Sequence, residues 1–430
     1  MAGQQQIAAS SFIPSLRPRV AAFVCPWICA IVIASATLAR GQTLTVLHNF
    51  TRGGDGAHPV STLTRDAAGN LYGTTSWSTS GNCSSPWYEC ATVFKLSRRG
   101  SGWLLQSLYT FDPEGRSDGY GPEGQLARDA SGVLYGATYS GGVNGFGTVF
   151  EVRPSVHPPV TVNMPWTQTR IHDFDGSDGW NPVGDLVLDS QGTIYGTSCY
   201  GGSYGGGTVF KLTHTSGGWM YSVVHEFTGG SDGGCPYAGV VLDAAGNIYG
   251  TASQGGLYGW GDVYEVTSSG SQTVLYSFSN GEDGRLPYAG VIQDSSGNLF
   301  GATSFGGSGG SGVVFELSPG NGGWSYSQVY PLPGGGWGPY ERLARDAAGN
   351  LFGTMYQGGA SQYGVVFKLT PSAGGWAYSP LHVFTGGEDG AYPYAGVVLD
   401  SAGNLFGTTL SGGTGVACDG GCGVVWEITP

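Results

Sequence analysis

An all-β fold, a seven-bladed β-propeller of four-stranded antiparallel blades, is what this sequence predicts, on three observations. Gly supplies 80 of 430 residues, while aromatics make up 13% and charged residues only 11%. That balance suits short strands joined by many tight turns, and the aromatics argue against disorder. One phrase recurs seven times, opening at Asp66, Asp129, Asp189, Asp243, Asp294, Asp346 and Asp400, 51 to 63 residues apart. This is the repeat length of a propeller blade. The two ends of the repeat region also complement each other, one offering a strand that the other lacks. No three-residue Gly period exists, which excludes collagen, and the composition excludes helical bundles and coiled coils.

Residues 1–41 read as a signal peptide or an N-terminal anchor. Arg17 and Arg19 precede an apolar run from Val20 to Ala39, and Ala39-Arg40-Gly41 offers a small-residue exit. Cleavage would start the mature chain near Gln42. The product is expected to be secreted or extracellular/periplasmic, and in contact with a membrane only through an uncleaved leader. Lys and Arg number 17 against 30 Asp and Glu. Three of the basic residues fall within the leader, which holds no acid, so the remainder is more acidic still. Such a chain repels phosphate backbones, and nucleic acid is not an expected partner.

Residues 42–430 form a single propeller domain. In the fourth unit the apolar runs Ala238–Asp243, Asn247–Ala252, Asp262–Thr267 and Thr273–Phe278 read as four strands. The first pair is joined by a turn whose Gly and Asn tolerate positive φ. Thr43–Phe50 already reads as an outer strand, whereas the seventh unit supplies only three strands, ending with Val424–Ile428. The N-terminal strand is therefore expected to complete the last blade and remove two raw sheet edges.

The phrases Asp-Gly-x-x-Pro, Gly-Asn-Leu-Tyr-Gly-Thr-Thr, Gly-Gly and Gly-Thr-Val-Phe-x-Leu together resemble the GloVer tandem repeat of bacterial surface proteins, from Thr43 to Pro430. Members of that family are called choice-of-anchor proteins, after the different sorting tails that follow their repeats. The resemblance implies a secreted propeller. It brings no catalytic residues, because the family has no generally assigned activity.

Residues repeated in every blade are read as scaffold. Asp55, Asp118, Asp178, Asp232, Asp283 and Asp389 sit in the Asp-Gly loops, where a carboxylate accepts loop N–H groups. One such Asp per loop does not converge on the 6–8 oxygens that Ca²⁺ takes. His48, His172, His225 and His382 share one outer-strand position with Tyr109, Tyr276 and Tyr330. With no convergent ligand set, no metal and no cofactor are expected.

Departures from the repeat are the candidate site. They gather on the face where the loops between second and third strands emerge beside the Asp-Gly loops. Directly after the loop Pro, blades four to seven carry Tyr237, Tyr288, Tyr340 and Tyr394, where blade two has Glu123. Further along lie Asp185 in blade three and Glu341 with Arg342 in blade six. Trp77, Trp87, Trp180 and Trp337, with Tyr120, Tyr139, Tyr200, Phe305 and Tyr356, add aromatic surface. Disulfides Cys83–Cys90, Cys199–Cys235 and Cys418–Cys422 would all staple this one face.

Aromatic faces beside carboxylates suit sugar rings. The leading expectation is a monomeric propeller that binds an extracellular polysaccharide or another cell-surface component through Trp77, Trp87, Trp180, Trp337 and Arg342. The first alternative is a glycoside hydrolase or polysaccharide lyase with Glu123, Asp185 and Glu341 as acid/base candidates, although no catalytic motif is recognisable. The second is a structural or adhesive protein without a small ligand.

Overall fold

Each blade is built around a glycine that faces a large ring on the neighbouring strand. In the computed structural model, a Cβ on Gly73, Gly136, Gly196, Gly250, Gly301, Gly353 or Gly407 would lie 2.3–2.7 Å from the side chain of Phe94, Phe150, Phe210, Tyr264, Phe315, Phe367 or Trp426, respectively. All seven aromatic side chains are fully buried. The invariant Gly of the Leu-Tyr-Gly phrase is thus a packing requirement, since any side chain there would displace the ring above it.

The structure describes residues 42–77, 91–111, 118–154, 166–334 and 336–430. Their strands form seven antiparallel sheets arranged in a ring, a seven-bladed β-propeller. Blade four, from the axis outward, consists of Val241–Leu242, Ile248–Ala252, Asp262–Val266 and Gln272–Ser277. Blade seven runs Val398–Leu399, Leu405–Thr409, Val424–Thr429, and then Thr43–Asn49 from the other end of the chain. The closing pair runs from Thr43↔Thr429 to Asn49↔Val424, which is the expected three-plus-one closure.

Two details differ from the sequence reading. The innermost strands are two residues long, so the run Ala238–Asp243 contributes only Val241–Leu242 to the ladder. The preceding carbonyls are instead taken sideways: Thr197 Oγ1 donates to Ala238 O (2.9 Å), Thr251 Oγ1 to Ala289 O (3.1 Å) and Thr354 Oγ1 to Ala395 O (2.8 Å). A threonine of one blade thereby fastens the inner segment of the next. Gly396 N donating to Thr62 Oγ1 (2.8 Å) carries the same kind of tie from blade seven to blade one. The second difference is in blade one, where Ala57–Pro59 forms an additional short strand against Leu71–Trp77.

Hydrophobic cores lie between adjacent blades. Phe300 and Val314 of blade five share one with Leu343, Leu351 and Phe367 of blade six. Phe50, Phe406 and Val425 share another with Phe94 and Leu96, across the closure. Each outer pair carries one β-bulge, as between Val46 and His48 or Arg170 and His172. The bulge re-aims the following side chain toward the Asp-Gly loop.

Candidate functional site on the loop face

That re-aimed side chain holds the loop aspartate. His48, His172 and His382 place Nε2 2.8–3.0 Å from Asp55, Asp178 and Asp389. Tyr109 and Tyr276 donate to Asp118 and Asp283 at 2.6 and 3.0 Å. Asp55 and Asp283 also accept the N–H of Thr51 and Ser279. Burial pushes the Asp55 and Asp283 carboxyls up, but these hydrogen bonds outweigh it and leave both below their ordinary values. The result is a set of rigid platforms facing one way.

The junction of blades three and four breaks the pattern, with His225 on the outer strand of blade three and Asp262 in blade four. The imidazole Nε2 of His225 is buried without a hydrogen-bond partner. Beneath the same loop, Asp262 is fully buried and neither carboxylate oxygen has a partner. Burial, with Asp232 adding to it, pushes Asp262 well above the usual carboxylate range. In blades two and three the equivalent cross-strand pairs are hydroxyls, Thr138 with Thr148 and Ser198 with Thr208 (both 2.9 Å). Here Ala252 faces Asp262 and offers nothing.

Around the axis the tyrosines after the loop prolines close into a ring. Tyr237 meets Tyr288 edge-on at 5.3 Å, Tyr288 stacks on Tyr340 at 5.3 Å, and Tyr340 stacks on Tyr394 at 4.9 Å. The hydroxyls of Tyr394 and Tyr237 complete it with a 2.6 Å hydrogen bond. Burial, then Glu123 and Glu341, push the Tyr237 hydroxyl well above its usual range. Tyr356 packs edge-on against Tyr340, and Trp337 extends the cluster to Phe305.

Two residues further along the chain, and so deeper in the channel, lies a second register: Thr62, Gln125, Asp185, Gly239, Gly290, Arg342 and Gly396. Arg342 reaches from blade six to blade three, with Nε 3.4 Å from Asp185 Oδ2. Its other nitrogens include a donor to Gln125 Oε1, while Gln125 N donates to Asp185 Oδ1 at 2.6 Å. Asp185 is only 3% exposed. Beside this pair, Glu341 is pushed well above the usual carboxylate range by burial and then by Asp185.

The candidate residues therefore separate into layers. Asp185, Glu341 and Arg342 stand together in the neck of the channel, with Asp185 closed off and the guanidinium of Arg342 already engaged. Glu123 stands in the register of the tyrosine ring. Trp180, Tyr200, Tyr139 and Trp337 are 40–48% exposed on the loop face. Trp180 rests on Phe146 at 5.6 Å and on Tyr200 at 5.8 Å. The backbone of Trp77 pairs with Ala57, whereas Trp87, Cys83 and Cys90 lie outside the described residues. Cys199–Cys235 and Cys418–Cys422 are disulfide-bonded, as expected. Gln125 is the functional neighbour the sequence reading missed, and its departure from Gly at the Asp185 and Arg342 register was the available signal.

Among the described residues, no group of three or more His, Cys, Asp or Glu could hold a metal ion, and no helix is long and apolar enough to cross a membrane. The disulfides point to an oxidising, extracellular compartment. A depression of about 590 Å³ on the opposite face is lined by Arg128, Asp129, Leu188 and Asp189, but both aspartates are already tied into turns.

The model of the Gloeobacter/Verrucomicrobia repeat matches residues 32–244, 88–295 and 236–430. The chain belongs to this family. No curated protein matches this member of the Gloeobacter/Verrucomicrobia repeat family. Among solved structures it is similar to the extracellular domain of a protein described as the one component system BT4673 from B. thetaiotaomicron, at 10% identity and a TM-score of 0.48. That match covers 89% of this chain and 40% of the other, so the chain spans well under half the length of that protein. A protein described as a 6-phosphogluconolactonase from Bacteroides uniformis matches at 15% identity and a TM-score of 0.46, covering 75% of this chain and 84% of the other. A luciferin-regenerating enzyme matches at 14% identity and a TM-score of 0.41, covering 74% and 94%.

Proposed function

We propose that this repeat propeller is a secreted or surface protein that binds an extracellular polysaccharide on its loop face. The observation that carries the reading is the outward presentation of Trp180, Tyr200, Tyr139 and Trp337 around the tyrosine ring. Large aromatic side chains left 40–48% exposed on this rim offer flat C–H-binding surface to sugar rings. The Cys199–Cys235 bridge joins the rim loops of consecutive blades and pre-organises them, which lowers the cost of binding.

The test is retardation of the protein in native gels cast with a panel of polysaccharides, comparing the parent with Trp180→Ala and Trp337→Ala. Weakened retention in either variant supports the reading, and unaltered retention in both rules out this face. A second reading, hydrolysis or elimination within a polysaccharide, draws on Glu341. Burial and then Asp185 push its carboxyl well above the usual carboxylate range, the direction a general acid needs, with Glu123 as the second carboxylate. On that reading Glu341→Gln abolishes product release while retention persists. Cleavage by Glu341→Gln at the parental rate excludes it.

A further inference from the structure

The saccharide reading leaves the charge of the sugar open, and one arginine of the rim speaks to it. The residue after the Gly of each Asp-Gly loop bridges to the exit of the second strand in its own blade. These pairs include Tyr120 with Ser140, Trp180 with Tyr200, Gly234 with Gln254 and Ala391 with Ser411. In blade five the pair is Arg285 with Phe305. Arg285 thus takes the place that the exposed platform Trp180 holds in blade three.

The arginine is held rigidly. Its guanidinium lies over the rings of Trp260 and Phe305, at 5.3 and 5.6 Å from their centroids. Arg285 N donates to Phe305 O (2.8 Å) and Leu286 N to Trp260 O (2.9 Å), so the backbone ties this segment to both aromatic residues. Nη1 donates to Asn280 Oδ1 at 2.7 Å. Nε is buried without a partner, which leaves the Nη end to meet a ligand.

Among the described residues, the arginines paired with carboxylates are Arg153, Arg170, Arg342 and Arg345. Arg285 is not one of them. In its own loop the Asp283 carboxylate is taken up by Tyr276, Ser279 and the N–H of Gly281, while Glu282 is exposed. Arg342, by contrast, spends its guanidinium on Asp185 and Gln125 in the neck. A guanidinium fixed over aromatic rings and left without an acid offers planar donors that match a carboxylate. Aromatic surface continues on either side of it: Trp260 is 37% exposed, and Phe305 leads to Trp337, 5.6 Å away and 48% exposed.

Resting on the saccharide reading, we infer that the rim recognises an acidic sugar, with the carboxylate of a uronate unit meeting Arg285 and the neighbouring units lying on Trp260 and Trp337. The acid-reading group is then the stacked arginine of blade five, out on the rim, and not Arg342 in the neck.

The experiment is calorimetric titration of the full chain with a galacturonate trimer and with its methyl ester, which keeps the rings and removes the charge, at the same moderate salt. The free acid is expected to bind about tenfold more tightly than the ester, a typical return for one charge-assisted pair. In Arg285→Gln the preference is expected to fall to within about threefold while affinity for the ester holds. Should that variant fail to fold, Arg285→Lys serves in its place. It keeps the charge without the planar fork, and at least a threefold loss of the preference is expected. Equal or tighter binding of the ester overturns the acidic-sugar inference and leaves the saccharide reading standing. A preference unchanged in the folded Arg285 variant overturns it as well, because the acid is then read elsewhere. Failure of both trimers to bind overturns the inference, and retention on neutral polysaccharides in the native gels then decides the saccharide reading separately.

Discussion

Replacing Asp262 by Val is expected to stabilise the protein, and the gain should grow with pH. The carboxyl group is fully buried and both its oxygens lack hydrogen-bond partners. Leaving a buried polar group unsatisfied costs about 1–3 kcal/mol even when it is neutral. Val already occupies the equivalent site in blades five to seven, as Val313, Val365 and Val424, each at most 2% exposed, so the backbone is compatible with it. The sign of the pH term follows from the raised carboxyl. The native state keeps a proton that the unfolded chain gives up above pH ~4, so the parent loses stability as pH rises from there through the folded value. Each unit of that displacement is worth about 1.4 kcal/mol. Asp262→Val should thus gain about 1–3 kcal/mol near pH 4 and more near pH 8, levelling off once Asp262 would have ionised in the folded parent. Denaturant unfolding followed by tryptophan fluorescence at the two pH values measures both quantities. A variant no more stable than the parent near neutrality, or a gain identical at the two pH values, would refute the reasoning.

Other perturbations test different parts of the molecule. Arg342→Met leaves Asp185 buried without its cation. Because Arg342 is itself 28% exposed, the loss expected from denaturant curves is about 2–3 kcal/mol, below the ~3–5 of a wholly buried pair, and a double change with Asp185→Leu should recover most of it. Gly353→Ala sets a methyl group 2.7 Å from the Phe367 ring and should cost about 1–3 kcal/mol by overpacking; thermal stability equal to the parent would contradict that. Reduction of Cys199–Cys235, which spans 36 residues, or its replacement by Ser at both positions, should cost about 2–4 kcal/mol and speed proteolysis at the rim. Deleting residues 43–49 should expose the edge of Val424–Thr429 and drive self-association, read by light scattering.

The architecture was legible because each unit repeats what each blade must do. Seven copies of one phrase give seven sheets, and a strand at Thr43–Phe50 matched against a three-stranded last unit gives the closure. The disulfides of blades three and seven followed from the same register. The inner strands were over-read, since the apolar run Ala238–Asp243 looks like a ladder partner although the Ala238 carbonyl bonds the preceding blade instead. The site was legible in composition and only partly in arrangement. Departures from the repeat picked out Glu123, Asp185, Glu341 and Arg342, but placed them all at an open mouth. What separates neck from mouth is a contact across the axis, between Arg342 and Asp185, and residues so far apart in sequence carry no local pattern that announces their meeting. The same holds for Tyr237 and Tyr394, whose hydroxyls meet although 157 residues separate them.

The strand Thr43–Asn49 has no partner until Val424–Thr429 is available. A chain that emerges from a ribosome or a translocation pore N-terminus first can pack blades one to six against one another in order as they appear. The seventh remains an open clamp until its third strand arrives, and then gains a long-range contact that is entropically the most expensive in the fold. Closure therefore waits on synthesis of the propeller's last strand. A chain interrupted before Val424 carries a loose leading strand and an unsealed ring, the kind of exposed edge that extracytoplasmic proteases and chaperones recognise.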